Sequence, residues 1–330
     1  MPTAVLICDD SGLARKQLAR SLPPDWDLQA EFAADGSEAL SRLRTGGIDL
    51  LLLDLNMPIL DGFEVLRALQ EEAIPVRTIV VSGDIQPESR RRVMELGAAA
   101  FVRKPIDTDA LVDILHGIGL TPPRGRAKLA EDKASDPLDG YREIANVAMG
   151  RAADLVARML DVFVLMPIPR VGHLEVSELE MAILHLQHNA RVTGVCQGFV
   201  GFGIAGEALL LLNESSLDGM ARIMGHSGPV DASAETEIVV DLAGILTGAC
   251  LQGLAEQLDI GFSQNHPVVL GRHMRVSELL ARAAKRWRRT LAVELDFLVE
   301  GHDIQADLLL LFSDASVPVL RRLVDGITGG

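Results

Sequence analysis

The hydrophobic runs of the first 120 residues are short and regularly interrupted. AVLIC, LQAEFA, LLLLDL, TIVVSG and AAAFVRK alternate with stretches of helical amphipathic spacing such as SGLARKQLARSL. Runs that are apolar throughout predict strands covered on both faces. Their alternation with helices predicts a doubly wound α/β domain over residues 1–120, with a five-stranded parallel sheet. Ligands of such sheets collect at the carboxyl ends of the strands. Those ends are polar here: Asp9 and Asp10 follow the first run, Asp54 the third, Ser82 the fourth and Lys104 the fifth.

The pattern breaks at TPPRGRAKLAEDKASDP, residues 121–137, which mixes Pro, Gly and charge without an apolar period and reads as a tether. Residues 138–330 then repeat themselves. EIANVAMGRAADLVARMLDVFVLMPIPRV, from Glu143 to Val171, lies without a gap over DLAGILTGACLQGLAEQLDIGFSQNHPVV, from Asp241 to Val269, at an offset of 98. Gly150 meets Gly248, Leu160 and Asp161 meet Leu258 and Asp259, and Pro169 meets Pro267. ALLLLNESS and DLLLLFSDAS correspond again at an offset of 99. Each half, about 138–236 and 237–330, predicts a long helix, a strand pair ending in the leucine run, and a closing helix. Two such halves predict a pseudo-symmetric α/β domain whose two long helices lie outside a shared antiparallel sheet.

Composition narrows the class. A chain of 330 residues that is 48% hydrophobic predicts two or three well-packed domains rather than disorder. The net charge of −15 argues against nucleic acid as a partner, because phosphate binding needs a basic face. Cys8, Cys196 and Cys250 form no C-x-x-C pair, so neither a disulfide framework nor a zinc site is expected. MPTAVLICDD turns acidic too early for a signal peptide, and no apolar run is expected to reach the length of a membrane span. The expectation is a soluble, cytoplasmic protein in a reducing compartment.

Three carboxylates converging on one crevice repel each other, and a hard dication such as Mg²⁺ relieves this with oxygen ligands. A lysine and a serine at the same edge suit the oxygens of a phosphoryl group, with a carboxylate as its nucleophile. The acidic pair Asp9–Asp10, DLNMPILDG around Asp54, VVSG at Ser82 and FVRKP with Lys104 before Pro105 resemble the receiver domain of two-component response regulators. That resemblance implies that Asp54 accepts phosphate from a histidine kinase and that Asp9, Asp10 and Asp54 hold Mg²⁺. It also implies that Ser82 and Lys104 contact the phosphoryl group, with Phe101 as the switch aromatic.

LDGYREIANVAMG raises a separate question. Asp139, Glu143 and Asn146 stand at i, i+4 and i+7, which puts them on one stripe of a helix. The repeat keeps its apolar frame in both copies, yet Asp241 replaces Glu143 and Gly244 replaces Asn146. Polar residues that vary while the frame holds are better explained as a site that one copy kept. Asp139, Glu143, Asn146 and Pro169 meet the pattern Asp or Ser, three residues, Glu, two residues, Asn, 22 residues, Pro, and the half from about 138 to 326 resembles the chemotaxis phosphatases of the CheC and CheX type. An Asn amide accepts and donates hydrogen bonds without useful basicity, so Asn146 suits the alignment of water. Glu143 could pair with a receiver lysine.

Together the resemblances imply an aspartyl-phosphate phosphatase for a phosphorylated CheY-like receiver or for its own, with one active site because the second helix is degenerate at Asp241 and Gly244. A separate receiver is the expected substrate, with the attached receiver gating access. The alternative is a non-catalytic adaptor whose partner binding changes when Asp54 is phosphorylated. A homodimer is compatible with either; neither nucleic acid nor membrane is an expected partner. Three further signals are discounted. GFGIAG, residues 201–206, precedes a strand-like run where a dinucleotide site needs a helix, so it reads as a hairpin turn. His185 and His188 lack a third metal ligand, and RAAKRWRR, residues 282–289, reads as a solvated basic turn.

Overall fold

Leu50–Leu53, four consecutive leucines, form a strand because a helical layer covers each face to which they point. Successive side chains of a strand point to opposite faces. Leu51 and Leu53 join one buried cluster with Leu6 and Val80; Leu50 and Leu52 join the other with Val5, Ile7, Ile79 and Val81. Full burial of a leucine contributes about 1.5–3 kcal/mol, which lets so short a strand hold the centre of a sheet.

The computed structural model describes residues 2–120, 125, 127–129, 138–165, 167–175, 191–275, 278 and 289–328. They divide into two units, Met1–Gly150 and Arg151–Gly330. In the first unit β1 (Thr3–Cys8), β2 (Leu28–Ala33), β3 (Leu50–Leu53), β4 (Arg77–Ser82) and β5 (Ala100–Arg103) alternate with α1 (Gly12–Ser21), α2 (Gly36–Arg44), α3 (Gly62–Glu71), α4 (Pro87–Glu95) and α5 (Thr108–Gly117). Leu40, Leu66 and Val93 from α2, α3 and α4 cover one face, and Leu18, Leu111 and Leu115 from α1 and α5 cover the other. The five expected parallel strands gain a sixth, β6 (Lys128–Leu129), which lies parallel to β2 and gives the order β5-β4-β3-β1-β2-β6. Part of the stretch read as a tether is therefore sheet edge; positions 121–124, 126 and 130–137 lie outside the described residues. The first unit also takes in α6 (Asp139–Leu160) as far as Gly150.

In the second unit the repeat becomes one antiparallel sheet of eight strands. The first half supplies β7 (Val164–Leu165), β8 (Arg170–Glu175), β9 (Arg191–Gly201), β10 (Ile204–Asn213) and α7 (Leu217–Ile223). The second supplies α8 (Ala232–Leu258), β11 (Ser263–Gln264), β12 (Val268–Arg275), β13 (Arg289–Val299), β14 (Ile304–Phe312) and α9 (Val317–Thr328). The two leucine runs pair with each other at the centre, Leu209 against Leu309 and Leu210 against Leu308. The halves also exchange strands: β8 pairs with β13 and β12 with β9. Two serines make the symmetry chemical as well as geometric. Ser216 Oγ bonds both the N–H and the carbonyl of Gln305, and Ser316 Oγ does the same at Ala205. GFGIAG forms the β9–β10 hairpin turn, with Phe202 and Gly203 at φ of 52° and 78°, the left-handed pair such two-residue turns require.

One expectation is corrected. α8 is 27 residues long and by length and composition apolar enough to cross a membrane. Its apolarity has a local cause: Ile238, Val239, Leu242, Leu246, Cys250 and Leu254 are buried within the unit, and Thr193 of β9 donates to the buried carboxylate of Glu235 at 2.9 Å. A helix covered over most of its circumference is apolar over most of its circumference. His185, His188 and residues 282–288 lie outside the described residues.

Candidate functional site

The strand ends carry Asp9, Asp10, Asp54 and Lys104 into one pocket. Asp9 and Asp10 follow β1, Asp54 follows β3, Ser82 closes β4 and Lys104 follows β5. Carboxylate oxygens of Asp9, Asp10 and Asp54 lie within 4.8 Å of one another. Local bonds fix them: Ser11 N–H donates to Asp9 Oδ1 at 2.9 Å, and Asn56 N–H donates to Asp54 Oδ2 at 2.9 Å. The buried Arg15 guanidinium donates to the carbonyl of Asp9 at 2.7 Å and to that of Asp10 at 3.3 Å. Asp61 caps α3 reciprocally with Glu64, and Gly62 follows where an added Cβ would stand 2.3 Å from the Asp54 carbonyl. DG after Asp54 is thus a helix start pressed against the strand it serves.

Lys104 is 5% exposed, and its Nζ lies 2.7 Å from Asp9 Oδ2, 3.3 Å from Asp54 Oδ1 and 3.4 Å from Glu143 Oε1. Glu143 reaches it from α6, whose polar stripe is buried in the first unit. Asp139 Oδ2 accepts the Leu13 N–H at 3.1 Å, at the start of α1. Asn146, 5% exposed, has no hydrogen-bond partner for either Oδ1 or Nδ2. Gly150 lies where a Cβ would come within 2.1 Å of the Gly83 carbonyl oxygen, and a Cβ on Gly83 would come within 2.9 Å of Val147 Cα. Backbone meets backbone there. A buried amide with both ends unpaired is costly unless something else occupies the space before it.

The charges do not balance. Asp9, Asp10, Asp54 and Glu143 surround one lysine. Burial, then Asp9 and Asp10, push Asp54 well above the usual carboxylate range against the pull of Lys104. Burial followed by the Asp9 charge raises Asp10 to about 7. Burial raises Glu143 as well, with Lys104 opposing. At Lys104, burial disfavours the ammonium, but Asp54, Asp9 and Glu143 outweigh it and hold its pKa well above normal. Asp10 Oδ1 is buried without a partner. Three clustered hard oxygens, one of them orphaned, with too little positive charge around them fit a hard divalent cation, which Asp9, Asp10 and Asp54 would hold.

Other expected site residues lie elsewhere. Ser82 is fully buried at the β4 end, its Oγ accepting the Asp84 N–H at 3.1 Å. Phe101 is half-buried against the cluster containing Leu6 and Val80 and does not join the carboxylates. Pro169 is buried in the second unit immediately before β8. Asp241 is exposed and Gly244 half-buried on α8, where they line an open cleft of ≈ 880 Å³ with Gly248 and Phe262. Sequence reading missed Arg15, the Leu13 N–H and the facing pair Gly83 and Gly150. The available signal was Gly150 itself, a glycine in a helix interior.

Residues 5–116 match the family model described as the response regulator receiver domain. A protein-glutamate methylesterase/protein-glutamine glutaminase of Halalkalibacterium halodurans is 33% identical over 138 residues, which is 39% of this chain and 40% of that protein. The chain thus spans less than half the length of this relative. Among solved structures, the Vibrio cholerae chemotaxis protein CheY4 is 28% identical, covering 36% of this chain and 99% of that one at a TM-score of 0.33. Thermotoga maritima FliY is 18% identical, covering 60% and 100% at a TM-score of 0.44.

Two outcomes are expected. Gly→Ala in a helix interior ordinarily stabilises by up to ~1 kcal/mol. Gly244→Ala, whose Cβ meets nothing within 4 Å, should follow that rule. Gly150→Ala should instead destabilise by ~1–3 kcal/mol because its Cβ collides with Gly83; urea denaturation of the two variants separates the signs. The second concerns pH. With Asp10 raised from 3.8 to about 7, the native pocket keeps protons that the unfolded chain has released, so its contribution is present at low pH and lost as pH rises through about 7. In chelator, wild-type stability should fall more steeply over that window than that of Asp10→Asn, and saturating Mg²⁺ should reverse the fall.

Proposed function

We propose, from the premise that residues 5–116 are a response regulator receiver domain of two-component and chemotaxis signalling, that this protein hydrolyses the aspartyl phosphate of a receiver. A histidine kinase supplies the phosphate to Asp54, and the Glu143–Asn146 segment of a CheC/CheX-type phosphatase half removes it. The observation that carries this reading is the Asn146 amide, buried and unpaired one turn from a glutamate that pairs with Lys104.

The chemistry follows from the groups present. An aspartyl phosphate is an acyl phosphate. Water attacks phosphorus, the bond from phosphorus to the Asp54 oxygen breaks, and the products are the free Asp54 carboxylate, inorganic phosphate and a proton. Such transfer depends on positioning and charge stabilisation rather than on strong base catalysis. Asn146 Oδ1 accepts a hydrogen bond from the attacking water while Nδ2 donates to a phosphoryl oxygen, which satisfies both orphaned atoms at once. Lys104 pairs with the negative oxygens, and Ser82 lies fully buried at the neighbouring strand end. Glu143 fixes Lys104 and the depth of the helix. Mg²⁺, when bound by Asp9, Asp10 and Asp54, supplies neutralising charge to the phosphoryl oxygens.

A second reading, a non-catalytic adaptor under the control of Asp54 phosphorylation, is favoured by α8. There Asp241 and Gly244 stand at the positions of Glu143 and Asn146 beside an open cleft. The two are separated by the lifetime of phosphate on the full chain after labelling with a small acyl-phosphate donor and Mg²⁺. Asn146→Ala should lengthen it at least about tenfold, the scale of one well-placed hydrogen bond, and Glu143→Gln should lengthen it less. Equal lifetimes in all three proteins would leave a separate receiver as the substrate or the adaptor reading, and the adaptor alone if the wild-type chain also fails to speed phosphate loss from a separate phosphorylated receiver.

A further inference from the structure

We infer that the phosphoryl group on which this helix acts is the one on Asp54 of the same chain. The inference rests on the phosphatase reading and narrows its substrate. The opposite expectation, a separate receiver, needs the Asp139–Asn146 face to be free. In the first unit it is occupied.

Three contacts along that face engage three elements of the parallel-sheet domain. Asp139 accepts the Leu13 N–H at the start of α1 at 3.1 Å. Glu143 pairs with Lys104 after β5 at 3.4 Å. Gly150 and Gly83 bring the helix backbone onto the turn after β4 with no room for a Cβ on either side. The contacts span more than two turns of α6 and follow the same stripe as the catalytic pair, so the helix is held in both rotation and depth. A Cβ at Gly150 would collide with Gly83 O, C and the Asp84 N, all backbone atoms that cannot rotate away. The fit is therefore specific to a backbone shape and not merely to charge.

The same contacts close the pocket. Asp54 is 2% exposed, and Glu143 Oε2, Asn146 Oδ1, Asn146 Nδ2 and Asp10 Oδ1 are likewise buried, without hydrogen-bond partners. A second chain's helix would have to displace one already seated. Because the catalytic groups are already in place, the reaction needs no association step and none of the freedom lost on association. The consequence is a phosphate lifetime set within each molecule: a first-order timer, independent of protein concentration, that resets each receiver individually.

Complementation between two full-length variants tests this. Asn146→Ala keeps the phosphoacceptor but lacks the amide; Asp54→Asn keeps the helix but cannot be phosphorylated. Asn146→Ala labelled on Asp54 is mixed with excess unlabelled Asp54→Asn, and the decay of label is followed beside that of wild type over a dilution series. The expected result is a label on Asn146→Ala that decays at the same rate with or without the second protein, within about twofold, and a wild-type lifetime that dilution does not change. Acceleration by Asp54→Asn towards the wild-type rate, or slowing of wild-type decay on dilution, would overturn the inference in favour of action between chains. Wild type and Asn146→Ala decaying alike before any mixing would also overturn the inference; the phosphatase reading then falls as well only if wild type and Asn146→Ala release phosphate equally slowly from a separate phosphorylated receiver.

Discussion

Lys104 holds a charge in a place where water cannot reach it. A buried ammonium persists only if it is paired, and removing one partner of a buried pair costs several kcal/mol. Its partners are Asp9 at the end of β1, Asp54 at the end of β3 and Glu143 on α6, so a single ion-pair cluster ties two strands and the helix to β5. Asp10 adds a further carboxylate. The pocket is therefore short of positive charge, and burial first, then the neighbouring carboxylates, holds the carboxyl pKa values of Asp10, Asp54 and Glu143 up. Protons can meet the shortfall at low pH. A hard cation held by Asp9, Asp10 and Asp54 would meet it at neutral pH while leaving the carboxylates ionised.

The duplicated half shows how one scaffold supports two outcomes. α6 and α8 derive from the same repeat and share Gly150 and Gly248, yet their neighbourhoods differ. Gly150 is pressed against Gly83, whereas the nearest foreign atom to a Cβ on Gly248 would be the Gln264 amide nitrogen at 3.7 Å. Glu143 and Asn146 are buried on α6; at the matching positions on α8, Asp241 is exposed and Gly244 half-buried beside an open cleft. The sheet is indifferent to this divergence, because its symmetry rests on the paired leucine runs and on the reciprocal serine bonds of Ser216 and Ser316. Frame and site can change independently.

What the chain disclosed of this in advance followed physical range. Strands apolar throughout, and the polar residues at their ends, were legible because both are local consequences of a covered parallel sheet. The repeat was legible because its frame is retained residue for residue. The exchange of β8 and β12 between halves was not, since pairing partners are set by closure of the whole sheet. Neither was β6, whose two residues carry no periodicity of their own. The apolar length of α8 is not legible in the chain, because scattered Thr, Gly and Gln residues interrupt it in sequence while burial makes it continuous in space. Asp139, Glu143 and Asn146 read as a stripe, but their burial depends on Gly83 and Gly150, and a glycine in a helix announces a close approach without saying to what.

The most direct measurement is a crystal structure of the full chain with Mg²⁺ and beryllium trifluoride, a stable mimic of aspartyl phosphate on Asp54. The account predicts that Glu143 stays on Lys104, that Gly150 stays on Gly83, and that the Asn146 amide holds a water on the side of the beryllium opposite the Asp54 oxygen. An adduct on Asp54 with the α6 face withdrawn, and no water held by Asn146, would contradict it.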